Sequence, residues 1–133
     1  VNNNTARQLS VLLVEDDEMV RETLADVLES RGFKVMTARN GAECLNLARQ
    51  HRYDAIVTDI IMPEKEGIET IAALRQAKVD TKIIAMSGGG RTRNEEFLDM
   101  ARRMGADFTF RKPFDPENLV RQIQSTSQAA AKV

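Results

Sequence analysis

The chain is short of several things that would commit a protein to a class. Among its 133 residues it holds one cysteine, Cys44. An internal disulfide and a cysteine-based zinc cluster are therefore excluded, and a reducing, cytoplasmic setting is expected. It has one histidine, His51, and no tryptophan. No apolar run approaches the ~18 residues of a membrane span, and no secretory signal opens the chain. Charge of one sign is lacking too: 19 Lys and Arg stand against 20 Asp and Glu. That balance argues against direct nucleic-acid or acidic-membrane binding, both of which draw on surplus cations. There is no internal repeat and no low-complexity block. What is present is ordinary for a globular protein, 42% hydrophobic and 29% charged residues, in a length that suits one domain with a real core.

Residues 1–8 (VNNNTARQ) are polar and patternless and read as a flexible lead-in. The first residue is not Met, which suggests a processed or truncated chain. From Leu9 onward short apolar runs, at 11–14 (VLLV), 33–36 (FKVM), 55–57 (AIV), 83–86 (IIAM) and 108–110 (FTF), alternate with longer striped segments. The stripes are Val20, Leu24, Val27, Leu28; Cys44, Leu45, Ala48; Ile68, Ile71, Ala72, Leu74; Phe97, Met100, Ala101, Met104; and Leu119, Val120, Ile123. The runs fit strands buried on both faces, and the stripes fit helices packed on one face. Gly32 and Gly105 read as glycines that end a helix and feed the next strand, and Gly41 and Gly67 also fall at helix boundaries. Pro63, Pro113 and Pro116 sit in connections. Five strand–helix units in strict alternation predict an α/β fold, a five-stranded parallel sheet wound with helices on both faces. The segment after Ser125 reads as a helix end or a loose tail.

In such sheets, reactive groups gather beyond the carboxyl ends of the strands. Run one ends in Glu15, Asp16 and Asp17, run three in Asp59, run four in Ser87, and run five in Arg111, Lys112 and Pro113. Only the second run brings no ionisable group to that edge. Asp17 is placed to cap the following helix. The remaining acids repel one another, which a hard divalent cation relieves. Mg²⁺ suits them, since it takes one or two carboxylates and leaves room for a phosphate. A lysine opposite adds a mobile positive charge, and a serine adds a hydrogen bond to a phosphate oxygen. Together these groups suit phosphoryl transfer onto a carboxylate.

The segments LLVEDDE, VTDIIMPEKEG, AMSGGG and GADFTFRKPF, in that order and spacing, resemble the receiver domain of two-component response regulators. The likeness covers roughly 9–125 and leaves 126–133 as a tail. It implies a flavodoxin-like (βα)5 fold with strand order 2-1-3-4-5. It implies that Asp59 is the phosphoacceptor, and that Asp16, Asp59 and the Ile61 backbone carbonyl hold Mg²⁺, with Glu15 acting through water. Ser87 would follow the phosphoryl group, Lys112 would pair with Asp59 and then with the phosphate, and the Lys112–Pro113 peptide would be cis. The phosphoryl donor implied is a histidine kinase or histidine phosphotransferase. The output implied is altered protein–protein binding at the fourth helix, fifth strand and fifth helix, by a monomer or a phosphorylation-dependent dimer. The sequence departs from the family at Thr109, where receivers commonly carry Tyr or Phe three residues before the lysine; here Phe108 and Phe110 flank it. It also has Ser87 in place of the commoner Thr, and an apolar Ile61 which, with Gly89, bears on how water reaches the phosphate.

Rival readings differ in what they require. A pseudo-receiver scaffold usually loses an acid or the lysine, and this chain keeps them all. An aspartate-nucleophile phosphohydrolase resembles D-x-D, whereas Asp59 is followed by Ile60 and Ile61, so no general acid is visible and the chain is expected not to be an enzyme acting on external substrates. It would assist only its own phosphorylation and dephosphorylation. Gly88, Gly89 and Gly90 lack either nucleotide-loop frame and read as a mobile loop. Arg91 and Arg93 read as solvated charges, Arg102 and Arg103 as cations favoured by a helix C-terminus, and His51 as exposed at a helix end. Cys44 and the methionines, Met86, Met100 and Met104 among them, read as core. With so few residues outside the domain, the chain is expected to signal by changing which protein it binds.

Overall fold

The structure, a computed structural model, describes residues 8–60, 66–87, 94–112 and 114–131, with side chains except at 66, 94, 95 and 126–131. Ile61, Pro63, Gly88, Gly89, Gly90, Arg91, Arg93, Pro113 and most of the lead-in lie outside the described residues. Five strands and five helices alternate: β1 (Ser10–Val14), α1 (Glu18–Ser30), β2 (Lys34–Ala38), α2 (Gly41–Gln50), β3 (Ala55–Asp59), α3 (Glu66–Gln76), β4 (Lys82–Ser87), α4 (Asn94–Met104), β5 (Phe108–Arg111) and α5 (Pro116–Ala131). The strands form one parallel sheet, as the sequence predicts, in the order β2-β1-β3-β4-β5 that the family resemblance implies. The helix α5 continues past Ser125, so the segment read as a helix end or tail is helical through Ala131.

Alternate residues of each strand face opposite sides of the sheet, and the inner strands are apolar on both. Leu12, Val14, Ile56, Ile83 and Ala85 pack with Cys44 of α2, Ile71 and Leu74 of α3, and Leu98 of α4. Val11, Leu13, Val57, Ile84 and Met86 pack with Leu28 of α1 and with Leu119 and Ile123 of α5. The outer strands depart from the expectation of burial on both faces. β2 has only Ala38 buried, β5 has no buried residue, and Met36 and Phe108 are 42% and 38% exposed. Both are edge strands, each with one neighbour and less helical cover. Met104, read as core, is also exposed because it falls in the last turn of α4. Met86 is buried, and Met100 packs against the core.

Local chemistry sets the helix ends. Asp17 caps α1 by accepting from the Val20 amide at 3.0 Å, and Asn40 caps α2 by accepting from the Glu43 amide at 2.9 Å. Gly32 closes α1 at φ 93°. There the Phe33 amide reaches back to the Leu28 carbonyl and the Gly32 amide to that of Glu29, a Schellman closure. Gly105, at φ 127°, closes α4 with the same pair of bonds, from Ala106 to Ala101 and from Gly105 to Arg102. His51 is the exposed C-cap of α2.

Candidate functional site

The parallel order brings the ends of β1, β3, β4 and β5 to one edge of the sheet. Asp59 ends the central strand β3, level with Met86 of β4, and Ser87 lies one residue further along. Both are buried. Glu15 follows β1 and is only 2% exposed, while its neighbour Asp16 is exposed. Glu15 is fixed from several sides. Its amide donates to the Ala38 carbonyl of β2 at 3.0 Å, its carboxylate accepts from the Asp17 amide at 3.1 Å, and its carbonyl accepts from Arg21 at 2.9 Å. Sequence reasoning passed over Arg21. Its place on the first turn of α1 is legible, but its reach back to the strand is not.

Lys112 enters from β5. Its backbone amide donates to the Ser87 carbonyl at 2.7 Å, which ties the two strand ends together. Its ammonium lies 3.1 Å from Asp59 Oδ2 and 3.3 Å from Glu15 Oε1. One cation thus bridges two nearly buried carboxylates. Burial works against charge on Lys112, but Asp59 and then Glu15 outweigh it, and the ammonium is held above the ordinary lysine value. Burial first, and then the Asp59 carboxylate, push the Glu15 carboxyl up to about 7, against the opposing pull of the Asp17 amide and Lys112.

Between the ordinary carboxylate value and about 7, the folded protein therefore holds more protons than the unfolded chain. Glu15's contribution to stability falls as pH rises through that window, by at most about 1.4 kcal/mol per pH unit. Lys112 has the opposite sense: its contribution is full below the ordinary lysine value and is lost only as pH rises through its higher folded value. In chelator, thermal unfolding of the wild type should show a loss of stability between pH 5 and 7, and Glu15→Gln should flatten it. An identical slope in the variant would contradict this account of the acid cluster.

Glu15, Asp16 and Asp59 each offer an oxygen, and the three lie within 4.8 Å of one another. An all-oxygen, all-carboxylate set of this size fits a hard divalent cation. It does not suit zinc, which favours nitrogen and sulfur. The expected fourth participant, the Ile61 carbonyl, and the Lys112–Pro113 peptide lie outside the described residues.

The structure brings together Glu15, Asp16, Asp59 and Lys112, with Ser87 beside them, and sets Thr109 apart. Thr109 pairs with Ala85 in the sheet register and accepts from Arg102 of α4 at 2.8 Å. Arg102 is thus more than a cation at a helix end, since it also pairs with Asp99. Phe110, next along β5, packs on the opposite side against the core shared with α5, its ring 5.1 Å from that of Phe114. Cys44 is fully buried, with burial pushing its thiol up to about 12, so it is packed and inert. Arg75, which sequence reasoning did not single out, reaches from α3 to the turns before β4 and β5.

Comparison with known proteins agrees with this geometry. Residues 11–124 match the family described as the response regulator receiver domain. Among curated proteins, the chain is 34% identical over 119 residues to the cell cycle transcriptional regulator CtrA of Caulobacter vibrioides, covering 88% of this chain and 49% of that protein. It is 35% identical over 115 residues to the transcriptional regulatory protein CpxR of Escherichia coli, covering 86% of this chain and 47% of that one. The chain thus spans about half the length of these relatives. Among solved structures, the chemotaxis response regulator CheY4 of Vibrio cholerae superposes with a TM-score of 0.77 at 29% identity, over 90% of this chain and 99% of that one. The Francisella response regulator 1452 receiver domain gives 0.80 at 28% identity, over 92% and 99%. No described helix is long and apolar enough to cross a membrane. The chain belongs to the response regulator receiver domain family, the phosphorylatable switches of two-component signalling.

Proposed function

We propose that Asp59 is the phosphoacceptor of this receiver and that it takes its phosphoryl group from a phosphohistidine of a histidine kinase or histidine phosphotransferase. The observation that carries the reading is Lys112 held between the Asp59 and Glu15 carboxylates at 3.1 and 3.3 Å. In the transfer, an Asp59 oxygen forms the new P–O bond while the P–N bond to the donor imidazole breaks and its electron pair stays on nitrogen. Such a reaction asks the protein chiefly for positioning and charge neutralisation. Asp16, Asp59 and the Ile61 carbonyl would hold Mg²⁺, with Glu15 through a water. The ion, when bound, supplies neutralisation of charge on the phosphoryl oxygens. Lys112 would exchange its bond to Asp59 for one to a phosphoryl oxygen, and the Ser87 hydroxyl would donate to another.

Phosphorylation would then alter binding of a downstream protein at the face of α4, β5 and α5, with the chain a monomer or a phosphorylation-dependent dimer. The setting is cytoplasmic, and no direct contact with nucleic acid is involved. Incubation with Mg²⁺ and acetyl phosphate should add one phosphoryl group to the intact mass, and Asp59→Asn should add none. A wild type that never gains this mass, even with saturating donor and a cognate kinase, would make the chain a pseudo-receiver scaffold. Steady, Asp59-dependent release of phosphate from small esters would make it a phosphohydrolase instead. The place of the second acid in D-x-D, two residues after Asp59, holds the apolar Ile61, which speaks against the general acid that turnover needs.

A further inference from the structure

Thr109 lies in β5, and Lys112 follows that strand directly, three residues further on. Lys112 touches Asp59 and, through its amide, the carbonyl of Ser87. Three residues earlier, the Thr109 hydroxyl accepts from the Arg102 guanidinium at 2.8 Å. Arg102 lies in the last turn of α4, and its other bond, to Asp99, stays within that helix. The bond from Arg102 to Thr109 leaves the helix for β5. The C-terminal end of α4 is held independently, since Arg75 of α3 donates twice to the Gly105 carbonyl at 3.0 and 2.7 Å. The latch is therefore an addition to an end already anchored. It borders an open hollow of about 310 Å³ lined by Arg102, Asp107, Phe108 and Thr109.

We propose that the Arg102–Thr109 hydrogen bond is a latch that holds α4 against β5 in the unphosphorylated state and is given up when Asp59 is loaded. The proposal rests on the phosphoacceptor reading and deepens it, by assigning to a polar pair the coupling between the site and α4. Its logic is linkage. A contact present in one of two states biases the molecule toward that state, and removing it favours whatever ligand selects the other. Loading Asp59 draws Lys112 onto a new anion, and Lys112 follows directly on β5, the strand that carries Thr109. A charge-assisted hydrogen bond at a half-exposed site is worth roughly threefold to tenfold in such an equilibrium.

The test uses Mg²⁺ and beryllofluoride, a reversible mimic of an aspartyl phosphoryl group, titrated by fluorine NMR against the full chain. Thr109→Val keeps the side-chain shape and removes the acceptor, Arg102→Met removes the donor, and Thr109→Ser restores the hydroxyl. The open hollow leaves valine at 109 room to fold, and Arg102→Met tests the same bond from the other side. Thr109→Val and Arg102→Met should bind beryllofluoride about threefold to tenfold more tightly than the wild type, with Thr109→Ser matching the wild type. Equal affinities in all four proteins, or weaker binding in the two latch variants, overturn the latch. Absence of Asp59-dependent binding in the wild type itself overturns the phosphoacceptor reading, and the latch with it.

Discussion

Gly67→Ala should cost about 3 kcal/mol of folding stability and slow phosphorylation of Asp59 by roughly a hundredfold. A methyl group at Gly67 would lie 2.4 Å from the Ile60 Cα and 2.5 Å from the Asp59 carbonyl oxygen. Both are backbone atoms, so no side chain can turn aside to make room. That backbone belongs to the end of the central strand, where the Ile60 amide donates to the Met86 carbonyl at 2.8 Å. Relief must come from moving α3 away from the sheet or from bending the strand end that carries Asp59. The first opens the packing of Ile68 and Ile71 against the core, and the second displaces Asp59 relative to Lys112 and Glu15. Urea unfolding and the rate of mass gain from acetyl phosphate check the two halves separately. A variant with the wild-type midpoint and rate would show that the helix start is free to give way, contrary to this packing.

Arg75→Met should lose about 3 kcal/mol of stability, the largest effect expected of any charged residue away from the acid cluster. The Arg75 guanidinium donates to the carbonyls of Gly105, Val79 and Thr81 and to the Asp107 carboxylate, all between 2.7 and 3.0 Å. It thereby fastens the end of α3, the turn into β4 and the turn between α4 and β5. Asp107 in turn accepts from the Ile83 amide at 2.9 Å. Methionine keeps much of the apolar stem and leaves those acceptors to water. The group is partly exposed, so water recovers some of the loss and the individual bonds do not sum. Arg75→Lys should recover little, because one ammonium cannot span the fork that the guanidinium fills. Thermal and urea unfolding of both variants decide the matter; a loss under 1 kcal/mol in Arg75→Met would reduce Arg75 to an ordinary surface charge.

These two residues mark the boundary of what the sequence discloses. The strands, the helices and their order follow from apolar periodicity, and the capping roles of Asp17, Gly32 and Gly105 follow from neighbours a few positions away. The acid cluster and its lysine are legible too, because parallel sheets deliver successive strand ends to one edge. Gly67 is legible as a helix boundary, but its need to lack a side chain arises from the backbone of β3. Arg75 looks like any basic residue in a last helical turn until the turns around Val79 and Gly105 fold beneath it. Arg102 and Thr109 are seven positions apart and meet only because α4 doubles back into β5. The exposure of Met36 and Phe108 required knowing which strands lie at the rim, a property of the sheet order rather than of either run.

The sheet order also has a mechanical side. β1, which Glu15 follows, and β3, which Asp59 ends, each have a hydrogen-bonded strand on both flanks, whereas β5, which Lys112 follows, is bonded among the described residues only to β4. The anions are therefore mounted where the sheet is stiffest and the cation where it is most compliant. Were Asp59 phosphorylated as proposed, the lysine-bearing rim would be the part free to yield, and the framework holding the acids would keep its dimensions. On that reading the site would work as a fixed jaw and a moving one, the moving jaw being the strand that lies against α4.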